Sequence, residues 1–319
     1  MMGTTFEIRV VAGSRGEAAT AMQAAFDEVD RVEALLSEWR ETSEISEVNR
    51  QAGRSPVRVG PELFQVLERS VWAAGVTGGA FDATFASCGH LWSFREARMP
   101  DPSEIERCLP LVDSGRLRLD PEGPEVFLPV KGMRIGIAGI GKGYGVDRAA
   151  GILEEHGIRD YIVDGGGDIR LRGTKLGRPW RVGITDPRDR DALYATLALE
   201  RGAIVSSGDY ERFFERDGVR YHHILDPATG WPARDTVAVT VVAPTAMDAD
   251  ALATGLFVLG PERGLALAES LEGVEALFFD PTLTVRRSAG FPETHPAGPR
   301  GEFGLPDSPI PVDGRGGPG

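Results

Sequence analysis

The densest polar cluster in this sequence is His222-His223-Ile224-Leu225-Asp226-Pro227-Ala228-Thr229-Gly230, which holds two of only five histidines. A histidine beside an Asp-Pro turn can act as a general base or touch a phosphate, and it can equally be a plain hairpin residue. Further on stand Asp248, Asp250 and Thr254, the last two spaced to share one face of a helix. A carboxylate and a hydroxyl oxygen side by side suit a hard cation that keeps some of its waters, such as Mg²⁺. An Asp near a helix start also serves as a cap or dipole partner. A third stretch, Gly136-Ile137-Ala138-Gly139-Ile140-Gly141-Lys142-Gly143, places glycines and one lysine at the head of a helix. Backbone N–H groups there can close on an anion, favoured by the helix N-terminus. No Ser or Thr follows Lys142, so this is not a Walker loop, and it is not a clean dinucleotide fingerprint. It reads as either a tight turn or a phosphate cradle. Two weaker stretches join it: Gly78-Gly79-Ala80-Phe81-Asp82-Ala83-Thr84, with Asp82 as an acceptor, and Ser206-Ser207-Gly208-Asp209-Tyr210, a close-approach site or an ordinary loop.

These residues need a scaffold, and the hydrophobic pattern supplies one. Thr5 to Val11 alternates and reads as a strand. Glu17 to Trp39 carries apolar residues at helical spacing, and a second helix runs from Pro61 to Ala74. Short strands are expected at Leu117–Leu119 and Val126–Pro129. The segment beginning at Arg134 reads as a short strand, the glycine turn, and a helix ending at Gly157. Strands follow at Tyr161–Asp164, Trp180–Thr185, Val237–Val242 and Ala276–Asp280, with helices at Ala246–Val258 and Glu262–Ser270. Interspersed elements with few βαβ units point to one α+β domain, rich in antiparallel sheet and flanked by helices. Its ordered part is expected over roughly 3–292 and its limits at 1–295, with a disordered Gly/Pro-rich tail at 296–319.

Composition narrows the function classes. The net charge of −13 and the absence of a basic run argue against nucleic-acid or anionic-membrane partners. No run of about 18 apolar residues suggests a membrane span. The start, MMGTTFEIRVVAG, shows neither a signal peptide nor a lipidated cysteine, so the expectation is cytoplasmic as encoded, and periplasmic or membrane-anchored if a leader was removed. Cys88 and Cys108 are too few for a disulfide scaffold and not clustered for zinc, and read as buried or idle thiols.

Taken together and in order, the motifs resemble the FAD:protein FMN transferase (ApbE-type flavin transferase) family. The resemblance begins at Met2-Gly3-Thr4, Leu36-Ser37-Glu38-Trp39-Arg40 and Ser43-Glu44-Ile45-Ser46-Glu47-Val48-Asn49. It continues through Gly79-Ala80-Phe81-Asp82, Gly139 to Tyr144, Gly166-Gly167-Asp168-Ile169-Arg170 and Trp180 to Ile184. It closes with Ser207 to Tyr210, His222 to Gly230 and Asp250 to Thr254. What it implies is an enzyme that uses FAD as substrate with Mg²⁺, attaches FMN to a Thr or Ser hydroxyl of an acceptor flavoprotein, and releases AMP. It implies FAD contacts at Met2, Trp39, Ala80, Phe81, Asp82, Lys142 and Leu225. It implies a metal held by Gly139 through its carbonyl, by Asp250 and by Thr254, with His223 as catalytic histidine. Trp39 would cover the isoalloxazine ring.

The chain departs from the family motif at Gly136, where the usual residue is Asp. On that ground Gly136→Asp is expected to tighten FAD, unless Gly136 sits at positive φ, where a side chain is strained. The same site would also serve a Mg²⁺-dependent FAD pyrophosphatase, or a non-catalytic flavin-binding protein.

Overall fold

The computed structural model describes residues 3–38 and 40–297. The N-terminal half runs β1 (Phe6–Val11), α1 (Arg15–Leu36), α2 (Glu44–Arg50), β2 (Val57–Arg58), α3 (Pro61–Val76), α4 (Ala86–Gly89), α5 (Pro102–Cys108), β3 (Arg118–Asp120) and β4 (Glu125–Phe127). It continues with α6 (Gly141–Glu155), β5 (Asp160–Gly165), β6 (Asp168–Arg172), β7 (Thr174–Lys175), β8 (Arg178–Thr185), β9 (Leu193–Leu199) and β10 (Arg201–Gly208). The rest is β11 (Phe213–Arg216), β12 (Val219–His222), β13 (Ala238–Ala243), α7 (Ala246–Ser270), β14 (Glu275–Phe279), β15 (Val285–Arg287) and β16 (Thr294–Pro296).

A seven-stranded sheet, ordered β1-β5-β6-β10-β13-β14-β15 and antiparallel at every pairing, forms the middle layer. Its strands are apolar on both faces. Val239, Val241, Ala276 and Phe278 point into the core beneath α1, α6 and α7. Their neighbours Ala238, Leu277 and Phe279 pack on the opposite face with Trp180, Val182 and Leu197 of a second sheet, β16-β9-β8-β7. Burial on two sides is why these strands read as continuous β-branched and aromatic runs. A smaller cluster centred on Ile45, Leu63, Leu67, Val126, Leu128 and Ile135 packs α2, α3 and β2–β4 beside the glycine turn.

Local signals set the helix ends. Ser14 caps α1 by accepting from Glu17 N–H, and Pro61 opens α3. The carboxylate of Asp147 on α6 accepts from both Ala246 and Met247 N–H at 2.9 Å, so α6 fixes where α7 starts. The helices expected at 246–258 and 262–270 both form and join in α7 across a kink at Gly260 (φ 80°), just before Pro261. By length and composition α7 could cross a bilayer, but Leu252, Ala253, Leu256 and Phe257 are fully buried in the core.

Four readings of the sequence change. Residues 134–138 are not a strand, for a reason given below. Ser206 and Ser207 lie not in a loop but on β10, where Ser206 Oγ bonds Thr240 Oγ1 on β13 at 2.8 Å. Pro296 pairs with Ala195, so it belongs to the fold where the tail was expected to begin; residues 298–319 lie outside the described ones. The two cysteines are not idle thiols: Cys88 and Cys108 form a disulfide that ties α4 to α5. Its Cα atoms are 5.3 Å apart, a proximity that their separation in the sequence does not reveal. Closing a loop across a separation of 20 residues contributes about 3 kcal/mol on the chain-entropy account. Cys88→Ser/Cys108→Ser is therefore expected to lower the urea midpoint by a shift of that size. Thiol titration of the denatured native protein without reductant should find no free thiol; two free thiols would remove the bond and its stabilisation together.

Candidate active site

The site assembles where α6 and α7 begin. The two helices meet so closely that a Cβ on Gly143 would lie 2.2 Å from the Ala246 carbonyl oxygen, so only glycine fits there. The contact delivers Gly143 N–H to Asp250 Oδ2 at 3.0 Å. Asp250 therefore sits buried on α7, facing the head of α6.

Side chains, not strand partners, shape the segment before α6. Ser87 Oγ accepts from Arg134 N–H at 2.9 Å. Asn49 Oδ1 accepts from Ile135 N–H at 2.8 Å, and its Nδ2 donates back to the Ile135 carbonyl at 3.0 Å. Gly136 N–H reaches the Ala83 carbonyl at 2.9 Å, and Glu38 Oε1 accepts from Ile137 N–H at 2.8 Å. With its polar groups so occupied, the segment has no ladder to join despite its apolar alternation. It ends at Gly139, whose α-carbon faces Thr254: a Cβ there would lie 3.0 Å from Thr254 Oγ1 and 3.2 Å from Phe81. Gly139, Asp250 and Thr254 are thus brought together.

Beside them is an ion cluster that the sequence reading did not single out. Asp168, at the start of β6 and 1% exposed, accepts from Lys142 Nζ at 2.5 Å through Oδ1, while its buried Oδ2 accepts from no N–H donor among the described residues. Burial pushes the Asp168 carboxyl well up, and the neighbouring Asp250 charge adds to it. Burial likewise raises Asp250, against the pull of Lys142 and Gly143 N–H. Burial works to lower Lys142, but the two carboxylates raise it overall. Two carboxyl groups buried against each other beside one ammonium are costly to hold ionised together. A divalent cation would relieve this cost. A carbonyl, a hydroxyl and a carboxylate form an oxygen-only donor set that fits Mg²⁺. Among the described residues no group of three or more His, Cys, Asp or Glu forms a metal cage. Gly166-Gly167-Asp168 was visible as a motif; that Lys142 needed a buried counter-charge was the signal pointing to Asp168.

His223 follows β12, its N–H held by the Arg212 carbonyl at 3.0 Å. Burial lowers its imidazole to about 4, helped by His222, Arg212 and Lys142. The ring is therefore neutral at pH 7, with Nδ1 unpartnered among the described residues and Phe94 edge-on at 6.4 Å. Alternation along the strand sends His222 the other way: its Nε2 lies 2.8 Å from the Ala233 carbonyl, and its ring packs edge-on to Phe257. Leu225 is buried among Trp92, Phe214 and Tyr221, forming an apolar wall near His223.

Of the remaining expected contacts, Ala80 and Phe81 are buried next to the glycine turn and α7. Asp82 is less free than the sequence suggested. Its Oδ1 accepts from Thr84 N–H and Oγ1–H, and its Oδ2 accepts from Ser114 N–H, closing the 82–84 turn and tying it to the next loop. Met2 and Trp39 lie outside the described residues.

A helix-headed glycine turn, a buried carboxyl pair with one lysine, and a neutral histidine are groups that suit phosphate oxygens. A profile described as the ApbE family matches residues 2–278. The chain is 38% identical to the FAD:protein FMN transferase of Treponema pallidum, over 91% of this chain and 85% of that one. It is 36% identical to that of Vibrio cholerae, over 84% and 82%. The ApbE protein of Thermotoga maritima superposes with a TM-score of 0.84 at 33% identity, covering 91% of this chain and 95% of that one. The flavin transferase ApbE of Vibrio cholerae gives 0.80 at 32%, with the same coverage. This chain belongs to the ApbE family and is a transferase.

Proposed function

We propose that the chain transfers the FMN moiety of FAD to a Thr or Ser hydroxyl of an acceptor flavoprotein, with Mg²⁺, and releases AMP. The observation that carries this reading is the convergence of Gly139, Asp250 and Thr254 at the head of α6, with Lys142 and Asp168 alongside. The glycine turn and Lys142 hold the diphosphate, where the helix N-terminus favours its charge. Gly139, Asp250 and Thr254 would hold the Mg²⁺, which supplies charge neutralisation on the phosphate oxygens. His223 accepts the proton of the incoming hydroxyl as its oxygen bonds to the FMN-side phosphorus. The bond from that phosphorus to the bridging oxygen breaks, and AMP departs with that oxygen. Ala80, Phe81 and Leu225 give the flavin nucleotide an apolar, water-poor surround. The Cys88–Cys108 bond supports an oxidising, extracytoplasmic site of action over the cytoplasmic expectation.

The test is AMP release from FAD and Mg²⁺, with and without a candidate acceptor. AMP formed only with acceptor, together with a fluorescent acceptor, supports transfer. AMP formed equally without acceptor would make the chain a FAD pyrophosphatase, and no AMP with any acceptor would make it a flavin-binding protein.

A further inference from the structure

We infer that Glu38 is a positioning residue which clamps the Gly136–Gly139 turn, and that the missing side chain at Gly136 is what admits its carboxylate. Glu38 lies just beyond the C-terminus of α1, 99 positions before the residue whose N–H it accepts. Burial raises the Glu38 carboxyl, while the Ile137 N–H and the nearby Ala138 amide favour its charged form. A Cβ on Gly136 would stand 2.8 and 3.0 Å from its two oxygens and 3.0 Å from Ala86 Cβ, so the carboxylate would have to give way. Gly136 does not have positive φ, so backbone freedom is not why glycine stands there; space is. The carboxylate therefore occupies the volume that a side chain at 136 would fill. Two residues beyond the held Ile137 amide is Gly139, whose position faces Thr254.

The clamp argues against the expectation that Gly136→Asp tightens FAD. A second carboxylate would compete with Glu38 for one place and displace it from the Ile137 amide. If the site is vacated first, however, an Asp at 136 can serve. Glu38→Ala alone should speed hydrogen exchange of the Ile137 amide at least tenfold, and Gly136→Asp alone should speed it by a smaller factor. Glu38→Ala/Gly136→Asp should return exchange to within about threefold of the parent.

Because the role at Gly139 rests on the proposed function, Mg²⁺ binding is measured separately, with Mg²⁺ alone as the probe in a thermal-shift titration. Affinity should fall about tenfold in Glu38→Ala and recover in the double variant. Exchange that follows the swap while Mg²⁺ affinity stays fixed would sustain the clamp and remove Gly139 from the metal site. Should Glu38→Ala fail to fold, Glu38→Gln, which keeps one acceptor oxygen but loses the charge, should speed exchange of the Ile137 amide by a smaller factor. Exchange unchanged in the Glu38 variants, or effects in the double variant that multiply instead of cancelling, overturns the proposal.

Discussion

Asp250→Asn is expected to lose about 1000-fold or more in flavin transfer at any ordinary Mg²⁺ concentration, while folding normally. The size follows from the several kcal/mol of charge stabilisation that a metal supplies to a phosphoryl oxygen. Asn is the informative replacement because its carbonyl can still accept from Gly143 N–H, which Asp250 Oδ2 holds at 3.0 Å. Ala would leave that buried amide unsatisfied, at about 1–3 kcal/mol in stability, and so mix two effects. Asn also removes one of two buried carboxyls that face each other, so the melting temperature should hold or rise without Mg²⁺. The stabilisation by added Mg²⁺ should vanish with activity. Transfer by Asp250→Asn at the parent rate and the parent Mg²⁺ requirement would reduce Asp250 to the partner of one amide.

His223→Ala is expected to keep FAD binding and to transfer FMN at least about 100-fold more slowly, the scale of a lost general base. His222→Ala should spare the chemical step and cost stability, since His222 is buried between the Ala233 carbonyl and Phe257. The acid limb of kcat/KM in the parent should bend near pH 4, because burial brings His223 down to about 4. Stability follows the same group. Its folded value lies below the unfolded value of about 6.5, so the unfolded chain takes up the proton first as pH falls. The stability that neutral His223 provides is therefore complete above about pH 6.5 and is lost as pH drops toward 4. His223→Ala should flatten the dependence of the urea midpoint over that window. Equal losses of transfer in both histidine variants, or loss of FAD binding in His223→Ala, would make the two histidines a structural pair.

The sequence announced elements whose burial is written in their own residues. Val237–Val242 and Ala276–Asp280 were legible because both faces of those strands are covered. β10 was not: its Gly202, Ser206 and Ser207 look like loop chemistry, and only pairing with β6 and β13 makes it a strand. The reverse error occurred at Arg134–Ala138, where apolar alternation suggested a strand. Ser87, Asn49 and Glu38, all distant in sequence, claim its amides instead. The same distance hid Glu38 and Asp168 as parts of the site, although both stood inside recognised motifs. Asp250 and Thr254 needed only helical spacing to be paired. Gly139 was named only through the resemblance, since a backbone carbonyl leaves no mark in residue type. Cys88 and Cys108 became a bond only through the packing of α4 on α5.

The most direct test of flavin transfer is covalent flavin fluorescence on the acceptor after denaturing electrophoresis, with Mg²⁺ or with EDTA. The acceptor is compared with a version whose modified Thr or Ser is replaced by Ala. The account predicts a band only with Mg²⁺, FAD and the intact hydroxyl, with one AMP formed per flavin attached. A band on the Ala acceptor, a band undiminished in EDTA, or AMP produced without any band would contradict it.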